Sequence, residues 1–473
     1  MNIKYLQKAC ALILALFLLS ALLFYWVQGS QIHYRESQTV AVDPAAPIGE
    51  LTRDIELRQP FTAETDEIIA VSVLLSTYAR ENSSHLDISI EDSAGAVLVQ
   101  TEVLSSEIAD NAVRRIDFPA PVRIMSGAQY NLILTSPDSV SGNAISAWSG
   151  APLSAEQLLY VNGEKTDQTL HYQLHLRTQS WLSSAYWYLV AAATLLMAAY
   201  FCYFIRAAKN NRMTFALRML LILQRYGYLM KQLIGRDFKT RYKRSVLGVC
   251  WSFLNPLLTM LVQYIVFSTL FRSDIPNFQL YLLVGIVCFN FFSEATGVAL
   301  QAIVGNASLI TKVYVPKYIY PVSRVLSSGI NLLFSVILLF IMMVFTRTPF
   351  RPALVFVPFG LICLLALCIG MGFILSTAMV FFRDTQFLWG VVSMLWMYAT
   401  PIFYPETIIP ARLMPLYKCN PMYHVIRFLR TIFLDGAAPL PKAFLFCGIA
   451  CFVPLLLGTL VFKKNQDKFI LNL

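Results

Sequence analysis

Two regimes of apolar and polar patterning divide this chain. Eight apolar runs, near 9–27, 183–205, 246–271, 280–303, 322–345, 353–382, 387–404 and 443–462, approach or exceed the roughly 20 residues a helix needs to cross a bilayer. Between the first two runs, apolar and polar residues alternate instead, as in Asp54-Ile55-Glu56-Leu57 and Leu86-Asp87-Ile88-Ser89-Ile90. A period of two is the mark of half-buried strands. Glu81-Asn82-Ser83-Ser84 and Asp92-Ser93-Ala94-Gly95 supply the turns. Strands are expected over 51–58, 67–76, 86–91, 96–103, 128–135 and 169–177, and their spacing predicts an antiparallel β-sandwich. In the last strand Leu170, Tyr172, Leu174 and Leu176 should point inward, with His171, Gln173, His175 and Arg177 outward. The fold class is therefore an α-helical polytopic membrane protein of about eight spans, with a β-sandwich between helices 1 and 2.

Charge fixes an expected orientation. The chain is 57% hydrophobic and 14% charged, outside the range of an ordinary soluble domain. Its net +10 is unevenly spread: 20 acidic and nine basic residues between Gln31 and Ser180 give −11, and the remainder carries +21. The basic residues gather at the ends of apolar runs, where anionic lipid attracts them, which argues against nucleic acid as partner. Lys4 and Lys8 precede the first run, Arg206, Lys209 and Arg212 follow the second, and Lys463, Lys464 and Lys468 follow the last. Positive residues stay cytoplasmic, so both termini should be inside and 31–180 outside. The first run reads as an uncleaved anchor with a Phe24-Tyr25-Trp26 belt, or else as a signal peptide with a poor cleavage site. No cysteine falls within 31–180, so that domain holds together without disulfides. The expected domains are an anchor (1–30), the outer sandwich (31–180), a second span (181–210), a basic interface helix region (211–245) and a polytopic core (246–473).

The segment from Arg236 to Pro256, RDFKTRYKRSVLGVCWSFLNP, is the most informative. Met230, Ile234, Phe238 and Tyr242 share one helical face, with Arg236, Lys239 and Lys243 on the other. Such a helix lies flat in a lipid interface. The order Arg-Asp, Lys, Arg-Tyr, Ser, Leu-Gly, Trp, Asn-Pro also resembles the opening of the permease subunit of ABC-2 type polysaccharide exporters, which move O-antigens, capsules and teichoic acids. Further pieces similar to that family follow in order: NASLITKVYVPKYIYP from Asn306 to Pro321, Phe382-Arg383-Asp384, Thr400-Pro401-Ile402-Phe403-Tyr404-Pro405, and Asn420-Pro421. The resemblance covers about 228–473 and implies a six-helix core, a homodimer around a channel, two copies of a separate ATPase subunit, and a bacterial inner-membrane location. It carries nothing over to the first 210 residues. The chain has no G-x-x-x-x-G-K-[ST] loop, so no cofactor is expected here; ATP and Mg would be bound by the partner.

Candidate site residues follow from that expectation. Arg236, Arg241 and Arg244 are candidates for a pyrophosphate headgroup, since guanidinium forks suit phosphate oxygens; lipid anchoring is the plainer alternative. Trp251, Phe253, Phe289, Phe291, Phe292, Trp389, Trp396 and Tyr398 could line a sugar path, or pack and face lipid. Glu294 is a carboxylate near mid-span, which marks a functional position, with Asn290 and Ser293 to solvate it and Arg427 or Arg430 as its cation. Lys312, Tyr314, Lys317 and Tyr318 are candidates for ATPase docking, or an ordinary positive loop. In the outer domain Tyr78 and Trp148 could contact glycan, or belong to the core. His171 and His175 share a strand face without an evident third ligand, so no metal site is expected. A drug or lipid exporter permease, and a membrane sensor or chain-length regulator, are the competing functions. No loop gathers paired carboxylates or His with Asp, which leaves an enzyme without support.

Overall fold

The computed structural model describes residues 3–152, 157–210, 212, 214–242, 248–271, 277–312 and 315–472. Thirteen helices run α1 (Ile3–His33), α2 (Trp181–Lys209), α3 (Phe215–Tyr242), α4 (Trp251–Phe271), α5 (Phe278–Leu300), α6 (Ala307–Lys312) and α7 (Ile319–Phe345). They continue as α8 (Val357–Phe381), α9 (Thr385–Tyr398), α10 (Met414–Lys418), α11 (Pro421–Phe433), α12 (Pro441–Asn465) and α13 (Phe469–Asn472). Two compact units result, residues 29–192 and residues 1–28 with 193–473.

The first unit is a sandwich. Its strands are β1 (Tyr34–Gln38), β2 (Ala46–Pro47), β3 (Leu57–Thr62), β4 (Glu67–Ser76), β5 (His85–Asp92), β6 (Val97–Leu104) and β7 (Ala112–Arg123). The remainder are β8 (Gln129–Thr135), β9 (Ser146–Gly150), β10 (Tyr160–Val161), β11 (Glu164–Lys165), β12 (Thr169–Leu170) and β13 (Tyr172–Gln179). One sheet has the order β1-β13-β4-β9-β12, with β7 also on β4 and β2 on β9; the other has the order β11-β10-β3-β8-β5-β6. Alternation places Leu86, Ile88 and Ile90 of β5 and Leu57 and Phe61 of β3 in the shared core. The strand expected over 51–58 actually begins at Leu57. Arg53 and Asp54 form a turn in which Ile55 N bonds the Thr52 carbonyl at 2.9 Å. His175 lies on the outer face as expected, between the core residues Leu174 and Leu176, but it is buried there, its ring nitrogen 2.7 Å from the Ser72 hydroxyl.

Among the described residues, seven helices are long and apolar enough to cross a membrane by length and composition. The eighth expected crossing, 387–404, is built differently. Helix α9 has only 14 residues, about 21 Å at 1.5 Å per residue, and is completed by the non-helical stretch 399–404. This composite runs the length of α5. Gln301 bonds Gln386 at 3.2 Å near one end, Trp389 Nε1 donates to Thr296 Oγ1 at 3.2 Å, Ser393 meets Ser293 at 3.3 Å, and Tyr281 Oη donates to the Tyr404 carbonyl at 2.8 Å near the other end. Helices α8 and α12 pack backbone to backbone because glycines face each other. A Cβ on Gly458 would lie 2.1 Å from the Gly370 carbonyl oxygen. Phe24 of α1 packs edge-on against Phe356 and Phe444, and the Gln28 amide donates to the Pro439 carbonyl.

Candidate functional site

The site in the helical unit is a polar seam inside an apolar bundle, formed where α4, α5 and α7 meet. On α5, Asn290, Glu294 and Val298 recur every fourth position; on α7, Ser327, Asn331 and Ser335 do the same. A cavity of about 390 Å³ lies between these faces and is lined by Trp251, Asn255, Asn290, Phe291, Glu294 and Asn331. Asn331 Nδ2 donates to Glu294 Oε1 at 3.1 Å, so this intramembrane carboxylate faces an amide. Neither expected arginine meets it. Arg427 Nε lies 3.7 Å from Glu406. Arg430 is 7% exposed and donates to the carbonyls of Pro401 at 2.6 Å and Ile402 at 2.8 Å, with two 3.3 Å bonds to Tyr281. Its guanidinium stacks 3.4 Å from the Tyr281 ring centroid. The Ser293 hydroxyl, adjacent in sequence, accepts from Ser393 Oγ at 3.3 Å.

The aromatics divide between cavity and core. Phe291 and Trp251 line the cavity, and Trp251 is half exposed. Phe253 packs against Phe334, and Tyr398 is exposed at the end of α9. Phe289, Phe292, Trp389 and Trp396 instead pack as edge-to-face or tilted pairs with centroids 5.1–6.2 Å apart, the geometry of a rigid core. Trp396 Nε1 donates at 2.8 Å to Asn420 Oδ1, and the Asn420 amide donates to Thr400 at 2.8 Å. Asn420 is thus the N-cap of α11, accepting from Met422 N at 3.0 Å, and Pro421 occupies the first helical position. That is why an Asn-Pro pair opens this segment.

Helix α3 is the basic interface helix, but its buried face is rotated from the expected one. Tyr226, Leu229, Met230 and Leu233 pack against Ile303, Ile319, Tyr320 and Phe373, and Asp237 continues that row. Asp237 is nearly buried between two guanidiniums: Arg236 Nε and Nη2 donate to Oδ1 at 3.1 and 3.0 Å, and Arg324 Nη1 of α7 is 3.2 Å from Oδ2. Arg324 escaped the sequence reading. The signal that could have found it is a lone cation one turn inside an apolar helix. Arg241 stands in the last turn of α3; Arg244 lies outside the described residues, as does Tyr314. Of the remaining loop candidates Lys312 is exposed, Lys317 Nζ donates to the Gln466 carbonyl at 2.5 Å, and Tyr318 packs under α3.

In the sandwich, Tyr78 and Trp148 are half-buried. Tyr78 stands in a turn with φ 56°, beneath the Arg80 guanidinium at 4.9 Å. Trp148 Nε1 donates to Asn111 Oδ1 at 3.2 Å. His171 meets the Val42 carbonyl and His175 meets Ser72. Among the described residues no group of three or more His, Cys, Asp or Glu is placed to hold a metal.

Comparison with known proteins places the helical unit. Residues 228–434 match the ABC-2 type transporter family. The O-antigen export system permease protein RfbA of Klebsiella pneumoniae is 30% identical over 247 residues, 51% of this chain and 95% of that protein. RfbA of Myxococcus xanthus is 30% identical over 257 residues, 54% of this chain and 98% of that protein. The polysialic acid transport protein KpsM of Escherichia coli is 21% identical over 248 residues, 51% and 95% of the two chains. The polar seam, the α9 composite and α11 all lie within the matched region, and the sandwich lies outside it. On these grounds the chain belongs to the family of ABC-2 type transporters, with a β-sandwich domain added before the shared core.

Proposed function

We propose that this protein is the permease subunit of an exporter that carries polysaccharide across a membrane, and that the cargo is lipid-linked through a pyrophosphate. The observation that carries this reading is the seam Asn255–Asn290–Glu294–Asn331. It sits in the part of the chain most similar to O-antigen permeases, and polar and ionisable residues set inside membrane-spanning helices mark substrate pathways by default. The channel would form between two copies of the chain, with ATP and Mg bound by two copies of a separate ATPase subunit near α6 and Lys312. Positive-inside charge supports cytoplasmic termini in the inner membrane, with 31–180 outside. Tyr78 and Trp148 would then offer stacking faces to emerging glycan, whose C–H surfaces pack on aromatic rings. A chain-length regulator needs only the first 210 residues and leaves the core without a role.

The test is deletion of the chain followed by measurement of surface polysaccharide, together with co-purification of an ATPase and its stimulation by lipid-pyrophosphoryl glycan. Loss of surface glycan and an associated ATPase are expected. A full sugar coat in the deletion strain rejects the reading. Within the seam, Glu294→Gln preserves the bond to Asn331 and removes the charge, so export should fall while folding is kept. Normal export by both Glu294→Gln and Glu294→Ala would reduce Glu294 to a tolerated polar residue.

A further inference from the structure

A second cavity, of about 490 Å³, lies where α3, the turn after α5 and the start of α7 meet; Arg236, Asp237, Asn306, Arg324, Ser327 and Ser328 line it. Its chemistry is unbalanced in one direction. Two guanidiniums converge on one carboxylate, which leaves a surplus of one positive charge. Arg236 Nη2 also reaches Asn306 Oδ1 at 3.5 Å. The Ser328 hydroxyl is 1% exposed, lines this cavity and has no hydrogen-bond partner among the described residues. A buried donor left unmade is costly and calls for an explanation. Asp237 Oδ2 is likewise without a well-formed hydrogen bond, although it lies in ion-pair range of Arg324. The carboxylate thus engages the two cations without reaching the third donor. A tetrahedral oxyanion has acceptor oxygens in all three directions, which a planar carboxylate lacks.

We propose that this cavity binds a phosphate or pyrophosphate group, with Arg236 and Arg324 as charge partners, Ser328 as an added donor and Asp237 as the stand-in that the ligand displaces. Of the three arginines expected in this role, Arg236, Arg241 and Arg244, Arg236 lines this cavity, and Arg324 and Ser328 complete the site from a second helix. Displacement frees Asp237 from both arginines, so occupancy loosens α3 from α7. The site deepens the proposed function, since it rests on a phosphate-bearing lipid carrier as the cargo's handle.

The experiment is calorimetric titration of the full-length permease in phosphatidylcholine nanodiscs with two probes, farnesyl pyrophosphate and inorganic pyrophosphate. Charge-assisted bonds of this kind are each worth about tenfold or more in affinity, so Ser328→Ala and Arg324→Gln should each weaken binding about tenfold or more. Asp237→Asn should tighten it several-fold while lowering the thermal midpoint, because it removes the competitor and the clasp together. Tighter binding of the prenylated probe assigns the site to a lipid headgroup, and equal binding assigns it to a soluble phosphate. If neither probe binds, or if Ser328→Ala and Asp237→Asn both bind as wild type does, the proposal is overturned and the three charges are only a clasp. Loss of surface polysaccharide on deletion of the chain would in that case leave the export reading intact.

Discussion

Arg430 offers a demanding test of how the helical core is held. Its guanidinium ties α11 to the Tyr281 carbonyl in the first turn of α5 and to the stretch 401–402, whose carbonyls stand outside any helix. Replacing it by methionine keeps the stem and removes the donors. The stack on Tyr281 contributes about 2 kcal/mol. Against this, removal of the buried cation recovers several kcal/mol of desolvation. The carbonyls of Pro401 and Ile402 remain behind without these donors, however, and each orphan costs about 1–3 kcal/mol. The balance is a loss of about 3 kcal/mol, a shift of more than a hundredfold in the folding equilibrium. Arg430→Lys should recover less than half, since one ammonium cannot serve three carbonyls and a ring at once. Equilibrium unfolding in mixed micelles with increasing dodecyl sulfate reads the difference. A methionine variant within about 0.5 kcal/mol of wild type, the scatter of an ordinary surface substitution, would refute the role assigned to the carbonyls.

Three further outcomes are expected. Gly458→Ala places a Cβ 2.1 Å from the Gly370 carbonyl oxygen, so α8 and α12 must part; the same unfolding assay should show a loss of about 1–3 kcal/mol, as overpacking does. Asn420→Ala removes the cap of α11 together with the bonds to Trp396 and Thr400, and should cost about 1–2 kcal/mol with a change in tryptophan emission. In the sandwich, Asp138 accepts from His85 Nδ1 at 2.6 Å and raises the pKa of that imidazole above its usual value. The bond to the charged ring therefore stabilises fully below the unfolded pKa near about 6.5 and is lost as pH rises through the folded one. His85→Gln should flatten the thermal midpoint across that window, and an unchanged pH profile would remove His85 from the account.

Much of this architecture was legible because lipid and strand pairing each impose a simple period. The alternating run in β5 and the long apolar runs needed nothing further. What escaped was written in polar residues that the fold turns inward. Strand β7 carries Pro119 and Pro121 among charges, and proline argues against a strand unless it lies at an edge; only the sheet order reveals that it does. Gln59 hides β3, for its buried amide bridges Gln157 and Leu170 rather than facing water. Asp237 and Arg324 stand 87 residues apart in sequence, so no local pattern links them. Arg430 reads as a cation in search of a carboxylate, and its true partners are backbone oxygens that exist only once 401–402 leaves the helix.

The sandwich begins and ends on neighbouring strands. Tyr34 of β1 pairs with Gln179 of β13, and just beyond them His33 meets Ser183 at 2.6 Å while Ser180 N bonds the His33 carbonyl at 2.8 Å. Entry and exit of the chain are therefore adjacent, the arrangement that lets a module be inserted into a host. The sandwich is in this sense a cassette set into a helical hairpin. A short loop could replace it without moving the ends of α1 and α2 apart, so its sequence can diverge while the helical core is left as it was.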